Sequence, residues 1–409
     1  MNKNNKKILF AFTLVELLIV IAILAILAAA VVIVINPGEM MAEARDAERI
    51  SSIESLKKSI DLFVLDNPGV SLGTSQVISI SIPDTSGTCT NITGLPTLPT
   101  GWSYRCVIAA NLKNIDSTGW LPINLTLIKG GSPIPYLPID PQNDQTATKY
   151  YQYIPGSTSG SYELTTLMES EKQAKIAGKD GGIDPGRLET GSNVSLWKTA
   201  SGLSIYWGMN EGSGSSVSDL SGNGNAGNIT GGYSWVPGVN GSAISFDGVS
   251  GSLAAITGNP LLNGKNFTIY GWFKPNPNGK YQFLWHKRRP NLLITPSANV
   301  FGFELEDAGG AKSVSISTSI SNKWYFLAEV LQGSRFTCYV FDQNGLVGTG
   351  ERNDLGAIVL SDGNTFNVSQ TGWWGGGEDS PYRGLADEVA VYTRALSVSE
   401  IRAIYNATK

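Results

Sequence analysis

Residues Ile8 to Ile35 form an almost unbroken apolar stretch of about 28 residues, with one carboxylate, Glu16, inside it. Roughly 20 apolar residues cross a bilayer, whereas the core of a cleaved secretory signal runs to about 7–15. The stretch is therefore an anchor or an assembly element. Lys3, Lys6 and Lys7 precede it, and no acidic residue comes before Glu16. That bias leaves the N-terminus in the cytoplasm and sends the rest of the chain outward. A carboxylate among hydrocarbon costs on the order of 2.5–3.5 kcal/mol on the insertion scale, so Glu16 needs a compensating partner.

At Asn36-Pro37-Gly38 the helix is expected to break or kink, because proline lacks a donor and clashes with the preceding turn. From Glu39 the pattern resumes, with Ile50, Ile53, Leu56, Ile60, Phe63 and Val64 at helical spacing and Arg45, Asp46, Arg49 and Lys57 assigned to the other face. Asp66-Asn67-Pro68-Gly69 is a stop signal.

The run Phe12-Thr13-Leu14-Val15-Glu16-Leu17-Leu18-Ile19-Val20 resembles the N-terminal segment of type IV pilins and type II secretion pseudopilins. The resemblance implies cleavage by a prepilin peptidase between Ala11 and Phe12, with residues 1–11 as leader and residues 12–35 as the membrane segment of a helix reaching residue 66. It departs from the family at Ala11, where glycine is usual. The new α-amino group of Phe12 would meet Glu16 of a neighbouring subunit, neutralising both charges away from water. The rival cut, by signal peptidase after Ala28-Ala29-Ala30, leaves Glu16 unexplained.

Beyond residue 66, short apolar runs alternate with turn residues, as in Gln76 to Ile82, whose period of two reads as a strand. The segments Tyr136 to Pro141, Tyr150 to Tyr153, Tyr162 to Glu169 and Gly181 to Pro185 resemble the closing strands of pseudopilin heads. Such a head would occupy residues 67–196. The major pseudopilins bind calcium in a loop of this region, and Asp140, Asn143 and Asp144 offer oxygen ligands, but a plain Asx-rich turn is the preferred reading of these residues. Cys89 and Cys106 are expected to bridge, closing a loop of about 17 residues.

After Leu196 the composition shifts: eight of the ten tryptophans lie from Trp197 onward, among glycine turns and short β-runs. Tyr206-Trp207 with Asn210 to Gly214, Asp219 to Asn225, Ala243 to Gly248, and Gly384 to Tyr392 with Arg394 to Ser397 resemble the laminin-G-like, concanavalin-type jelly-roll family. The expected architecture is an α+β pilin fold, a long N-terminal helix packed on an antiparallel sheet, followed by an all-β jelly-roll sandwich over residues 197–409.

Asp219, Ser221, Asn223 and Asn225 place oxygens at alternate positions, which suits a structural calcium, with Asp387 as a further ligand; a Gly/Asn hairpin without metal is the alternative. Position twelve of that segment is Thr230, which excludes an EF-hand. Trp272, Trp324 and Phe267 read as core, as does Cys338. Trp285, Trp373, Trp374 and Tyr382, beside loops and charges, are expected to stack on sugar rings, with Arg383 and the single His286 as donors. Glu304 and Glu306 share a strand face, but the glycosidase arrangement of this fold, Glu-x-Asp-x-x-Glu, is not reproduced, so no enzyme is expected.

The net charge of −4 and the modest charged fraction of 16% argue against a nucleic-acid partner. The expected function is a filament subunit, inserted in the cytoplasmic membrane before assembly and on the surface after it. Its partners would be other pilin subunits, the prepilin peptidase and a carbohydrate or glycoprotein ligand. The alternatives are a pseudopilin of a secretion or DNA-uptake machine and a membrane-tethered glycan hydrolase.

Overall fold

The computed structural model describes residues 14–143, 149–249, 252–255, 266–286, 290–296, 300–358, 366–369 and 379–409. Ala11, Phe12, Asp144, Trp373 and Trp374 lie outside them.

Helix α1 (Leu14–Ile35) is separated from α2 (Pro37–Asp66) at Asn36 alone. Asn36 adopts a left-handed conformation (φ 44°) and its side chain accepts from the Glu39 N–H at 3.4 Å, while Pro37 occupies a first-turn position where its missing donor costs nothing. The break is thus one residue wide. From Leu14 to Leu27 every side chain of α1, Glu16 included, is exposed. Among the described residues no helix is long and apolar enough to cross a membrane.

The second helix docks through Ile53, Leu56, Ile60 and Phe63, each at most 2% exposed, against Trp120, Tyr151, Tyr153 and Leu164. Burying each such side chain stabilises by about 1.5–3 kcal/mol, so this stripe fixes the helix. The assignment of Asp46 and Arg49 to the polar face is corrected: both are fully buried, because carboxylates from two other segments converge on Arg49.

The docking surface is a five-stranded sheet of β1 (Val77–Ile80), β2 (Ser103–Arg105), β3 (Gln152–Pro155), β4 (Tyr162–Leu167) and β5 (Arg187–Gly191), in the order β2-β1-β3-β4-β5. It is antiparallel except for the parallel pair β1/β2. Helix α3 (Glu171–Ala177) lies between β4 and β5 in the chain. Cys89 and Cys106 form a disulfide across 17 residues, which removes about 3 kcal/mol of loop freedom from the unfolded chain. Helix α4 (Trp197–Ser201) lays Trp197 and Ala200 on Ile78, Ile80 and Ile154, the sheet face opposite α2.

The remaining strands are β6 (Leu203–Trp207), β7 (Ser216–Val217), β8 (Gly227–Thr230), β9 (Tyr233–Pro237), β10 (Ser242–Asp247), β11 (Ser252–Ala255), β12 (Asn266–Pro275), β13 (Tyr281–His286), β14 (Asn291–Ile294), β15 (Val300–Asp307), β16 (Gly310–Ser317), β17 (Tyr325–Gln332), β18 (Arg335–Asp342), β19 (Gly345–Arg352), β20 (Asn367–Val368), β21 (Asp379–Pro381) and β22 (Arg383–Tyr392). Among the described residues they form two sheets. One runs β19-β18-β17-β12-β22-β10-β9 with β6 beside β22; the other runs β16-β15-β14-β13-β20-β11-β8-β7 with β21 beside β13. Period-two alternation turns Phe267, Ile269, Phe301, Phe303, Leu327 and Cys338 into the space between them. Edge strands β16 and β19 approach because β19 carries glycines: a Cβ at Gly350 would stand 2.3 Å from Val314 Cγ1.

Helix α5 (Val398–Thr408) starts on a capping box, Ser397 with Glu400, and closes the outer face of the β12-containing sheet by stacking Tyr405 on Phe341 (4.7 Å) and Trp272 (5.6 Å). Its Ala407 also packs on Ala174 and Ala177 of α3, tying the sandwich to the N-terminal unit.

Candidate functional site

Strands β13 to β16 run side by side, with Phe283, Leu293, Gly302 and Ser315 in one row across them. Leu292, Phe301, Phe303 and Val314 point into the core, so the alternate residues face outward. Tyr281, Phe283, Leu293, Thr295, Gly302, Glu304, Ser313 and Ser315 line a cleft of about 190 Å³ on that outer side. The cleft exists because Gly302 has no side chain. A Cβ there would meet Leu293, its Cδ1 at 3.0 Å, its Cγ at 3.4 Å and its carbonyl oxygen at 3.9 Å. Among the described residues, the buried Thr295 Oγ1 has no hydrogen-bond partner. Four hydroxyls, one carboxylate and an apolar wall suit a ligand that combines a hydroxyl rim with an apolar face, as a sugar ring does.

The expected site residues divide sharply. Glu304 lines the cleft, and Glu306, on the same face of β15, lies half-buried beyond it. Trp285 and Tyr382 are corrected: both are fully buried. A register irregularity between Phe283 and Trp285 turns the indole inward, where Nε1 donates to Glu329 Oε1 at 3.0 Å. The Tyr382 ring packs on Phe273 (5.6 Å) and its hydroxyl donates to the Leu385 carbonyl. Neither ring can stack on a ligand. Arg383 is exposed, and its backbone N–H donates to Gln282 Oε1. Trp373 and Trp374 lie outside the described residues; Val368 before them and Asp379 after them both pair with β13.

The metal expectation does not fit the geometry. Asp219 Oδ1 accepts from the N–H of Tyr206 (3.1 Å) and Ser221 (3.0 Å), and Oδ2 from that of Asn225 (2.8 Å). Ser221, Asn223 and Asn225 donate to the carbonyls of Leu203 and Ser204. These side chains stand in for a missing neighbour along β6, an edge strand, and so present donors where a cation needs acceptors. Asp387 is on another strand, its Oδ2 accepting from Val239 N (2.9 Å) and Asn240 N (3.2 Å). In the N-terminal unit, Asp140 is bound to Arg49 and Asn143 to Ser81. Among the described residues no three acidic, histidine or cysteine side chains form a metal-binding group.

Sequence reasoning missed Tyr281, Thr295, Ser313 and Ser315. The signal available was Gly302, a glycine inside an apolar strand run, which marks a place where something approaches the backbone closely.

Residues 247–402 match the family described as the concanavalin A-like lectin/glucanases superfamily, and residues 10–32 match the prokaryotic N-terminal methylation motif. No curated protein matches the sequence. Similar solved structures include the binding domain of Paraclostridial Mosquitocidal Protein 1, at 18% identity and TM-score 0.40, covering 50% of this chain and 52% of that one. They also include the botulinum neurotoxin serotype C1 binding domain (14%, TM-score 0.38, 51% and 52%) and a Trypanosoma rangeli sialidase in complex with sialic acid (18%, TM-score 0.40, 63% and 42%). This chain thus spans about half the length of those it is compared with. The chain therefore joins an N-terminal methylation motif of the prokaryotic, pilin type to a concanavalin A-like, laminin-G-like domain.

Proposed function

We propose that the chain is a type IV pilin-like filament subunit that carries a glycan- or glycoprotein-binding sandwich outward. The methylation motif and Glu16, set in an exposed apolar helix, support the assembly half of this reading. The cleft over Gly302 supports the binding half and is the observation that carries it. Many weak clefts repeated along a filament give avidity beyond one site. The reading assigns the cleft binding and no turnover.

Gly302→Leu, which fills the cleft from the outer side of β15 without entering the core, is expected to weaken glycan-array binding of the full chain about tenfold or more, about 1.4 kcal/mol. Its circular dichroism should stay unchanged and its melting temperature should fall only modestly, because Leu293, 3.0 Å from the new Cβ, must shift to make room. Full binding by a well-folded Gly302→Leu chain discards the cleft as the site.

Glu16→Leu removes the charge that a neighbour's terminal ammonium would balance, and is expected to cut filament yield by roughly tenfold. Mass spectrometry of the assembled wild type should find a methylated Phe12 at the N-terminus. A start at Met1 or near Val31 discards the pilin reading.

A further inference from the structure

Along β17, Tyr325, Leu327 and Leu331 turn into the core between the two sheets, and Glu329 goes with them at 0% exposure. A carboxyl in such surroundings is costly unless a donor meets it. Glu329 Oε1 accepts from Trp285 Nε1 at 3.0 Å, a bond that crosses from one sheet to the other. Among the described residues its Oε2 meets no partner, and Cys338, opposite it on β18, carries a thiol, which is a weak one.

Trp285 reaches that carboxyl because β13 carries an extra residue. Phe283 pairs with Leu293 and Trp285 with Leu292, so Leu284 has no opposite number on β14. Leu284 and Trp285, consecutive in the chain, both enter the core. Phe283 lines the cleft, and regular alternation from it would send Leu284 in and Trp285 out. Trp285 would then stand opposite Asn291, whose partner on β15 is Glu304, at the Glu304 end of the cleft. A bulge re-aims a side chain in this way. Turned inward, the indole packs on Phe273 (5.6 Å), but its N–H has left water and needs an acceptor. Glu329 supplies it from the facing sheet.

We propose that Glu329 is a positioning residue of the Gly302 cleft: from the facing sheet it holds the β13 bulge that keeps the Trp285 indole out of the cleft's end. This rests on the reading that the cleft binds a ligand.

Burial pushes the Glu329 carboxyl well above its ordinary value, while the Trp285 bond pulls it down. Glutamine keeps the accepting oxygen in place and puts an amide where the carboxyl holds its proton. Leucine keeps the volume but removes the acceptor, which strands a buried N–H and favours an outward Trp285.

The test labels the full chain, in detergent micelles, with fluorotryptophan, the Trp285 signal being assigned from Trp285→Phe. A soluble paramagnetic ion should leave that signal sharp in the wild type and in Glu329→Gln, and broaden it about tenfold more in Glu329→Leu. On an array of neutral and acidic oligosaccharides, Glu329→Leu should bind about tenfold more weakly than the wild type, and Glu329→Gln within about twofold of it. In Trp285→Phe/Glu329→Leu, whose phenyl ring needs no acceptor, binding should return. A Trp285 signal that stays sharp in Glu329→Leu, an equal loss of binding in Glu329→Gln, or no recovery in the double variant overturns the assignment. If Glu329→Leu does not fold, a folded and binding double variant supports it, and failure of both overturns it. Full binding by Gly302→Leu discards the cleft alone, because the fluorine signal still decides whether Glu329 places Trp285.

Discussion

Arg49→Met is expected to lower the unfolding free energy by about 3–5 kcal/mol, although Arg49 is fully buried and does not line the cleft. Its guanidinium donates to Asp140 from Nε at 2.7 Å and Nη2 at 2.9 Å, to Asp46 at 2.8 Å, and pairs with Glu169. Asp46 in turn accepts from Ser170 N at 2.7 Å and Ser170 Oγ at 2.8 Å, where α3 begins. One side chain thus binds α2 to the turn at residue 140 and to the end of β4. Burial works against its charge, but the Asp140 bond and the surrounding carboxylates hold it ionised well above its ordinary range. Methionine fills most of the volume and strands two buried carboxylates, which is the costly outcome. Arg49→Lys should recover only part of the loss, since an ammonium cannot bridge Asp140 with two parallel bonds. Denaturant unfolding measures both. A loss under about 1 kcal/mol for Arg49→Met would show that water reaches these carboxylates and would refute the assignment.

Glu400→Ala should cost a comparable amount, about 3–5 kcal/mol, by leaving Arg394 and Arg187 buried without their shared anion. It also removes the capping box that starts α5. Burial opposes ionisation of Glu400, yet the charge and bonds of Arg394, then the charge of Arg187, pull it down to about 2. Its contribution is therefore complete above the ordinary carboxylate range and is lost as pH falls toward 2. Melting temperature followed between pH 7 and 2.5 should fall less steeply in the variant than in the wild type. Parallel curves would sink this account.

Local pattern made much of this chain legible. The ends of α2, the break before it, the strands at Val77–Ile80 and Tyr162–Leu167, the Cys89–Cys106 bridge and the inward Cys338 all follow from spacing, breakers and alternation within a few residues. Where that pattern met long-range partners it failed. Asp46 and Arg49 read as surface charges because Asp140 and Glu169 are about a hundred residues away in the chain. Trp285 read as a loop platform because a shift of register cannot be seen from neighbours alone. The Asp219 segment read as a cation loop because nothing local reveals that β6 is an edge strand whose carbonyls need donors.

The sequence by itself determined the apolar N-terminal helix with its acid, the helix stop, the bridge and the β-rich character of the C-terminal half. Each depends on forces between residues close in the chain or on composition. Only the tertiary structure decided which charges are paired in the interior, that Trp285 is buried, and where a cleft opens. Those outcomes depend on the register and packing of strands far apart in the chain, where a partner's identity, and not a residue's own chemistry, sets the energy.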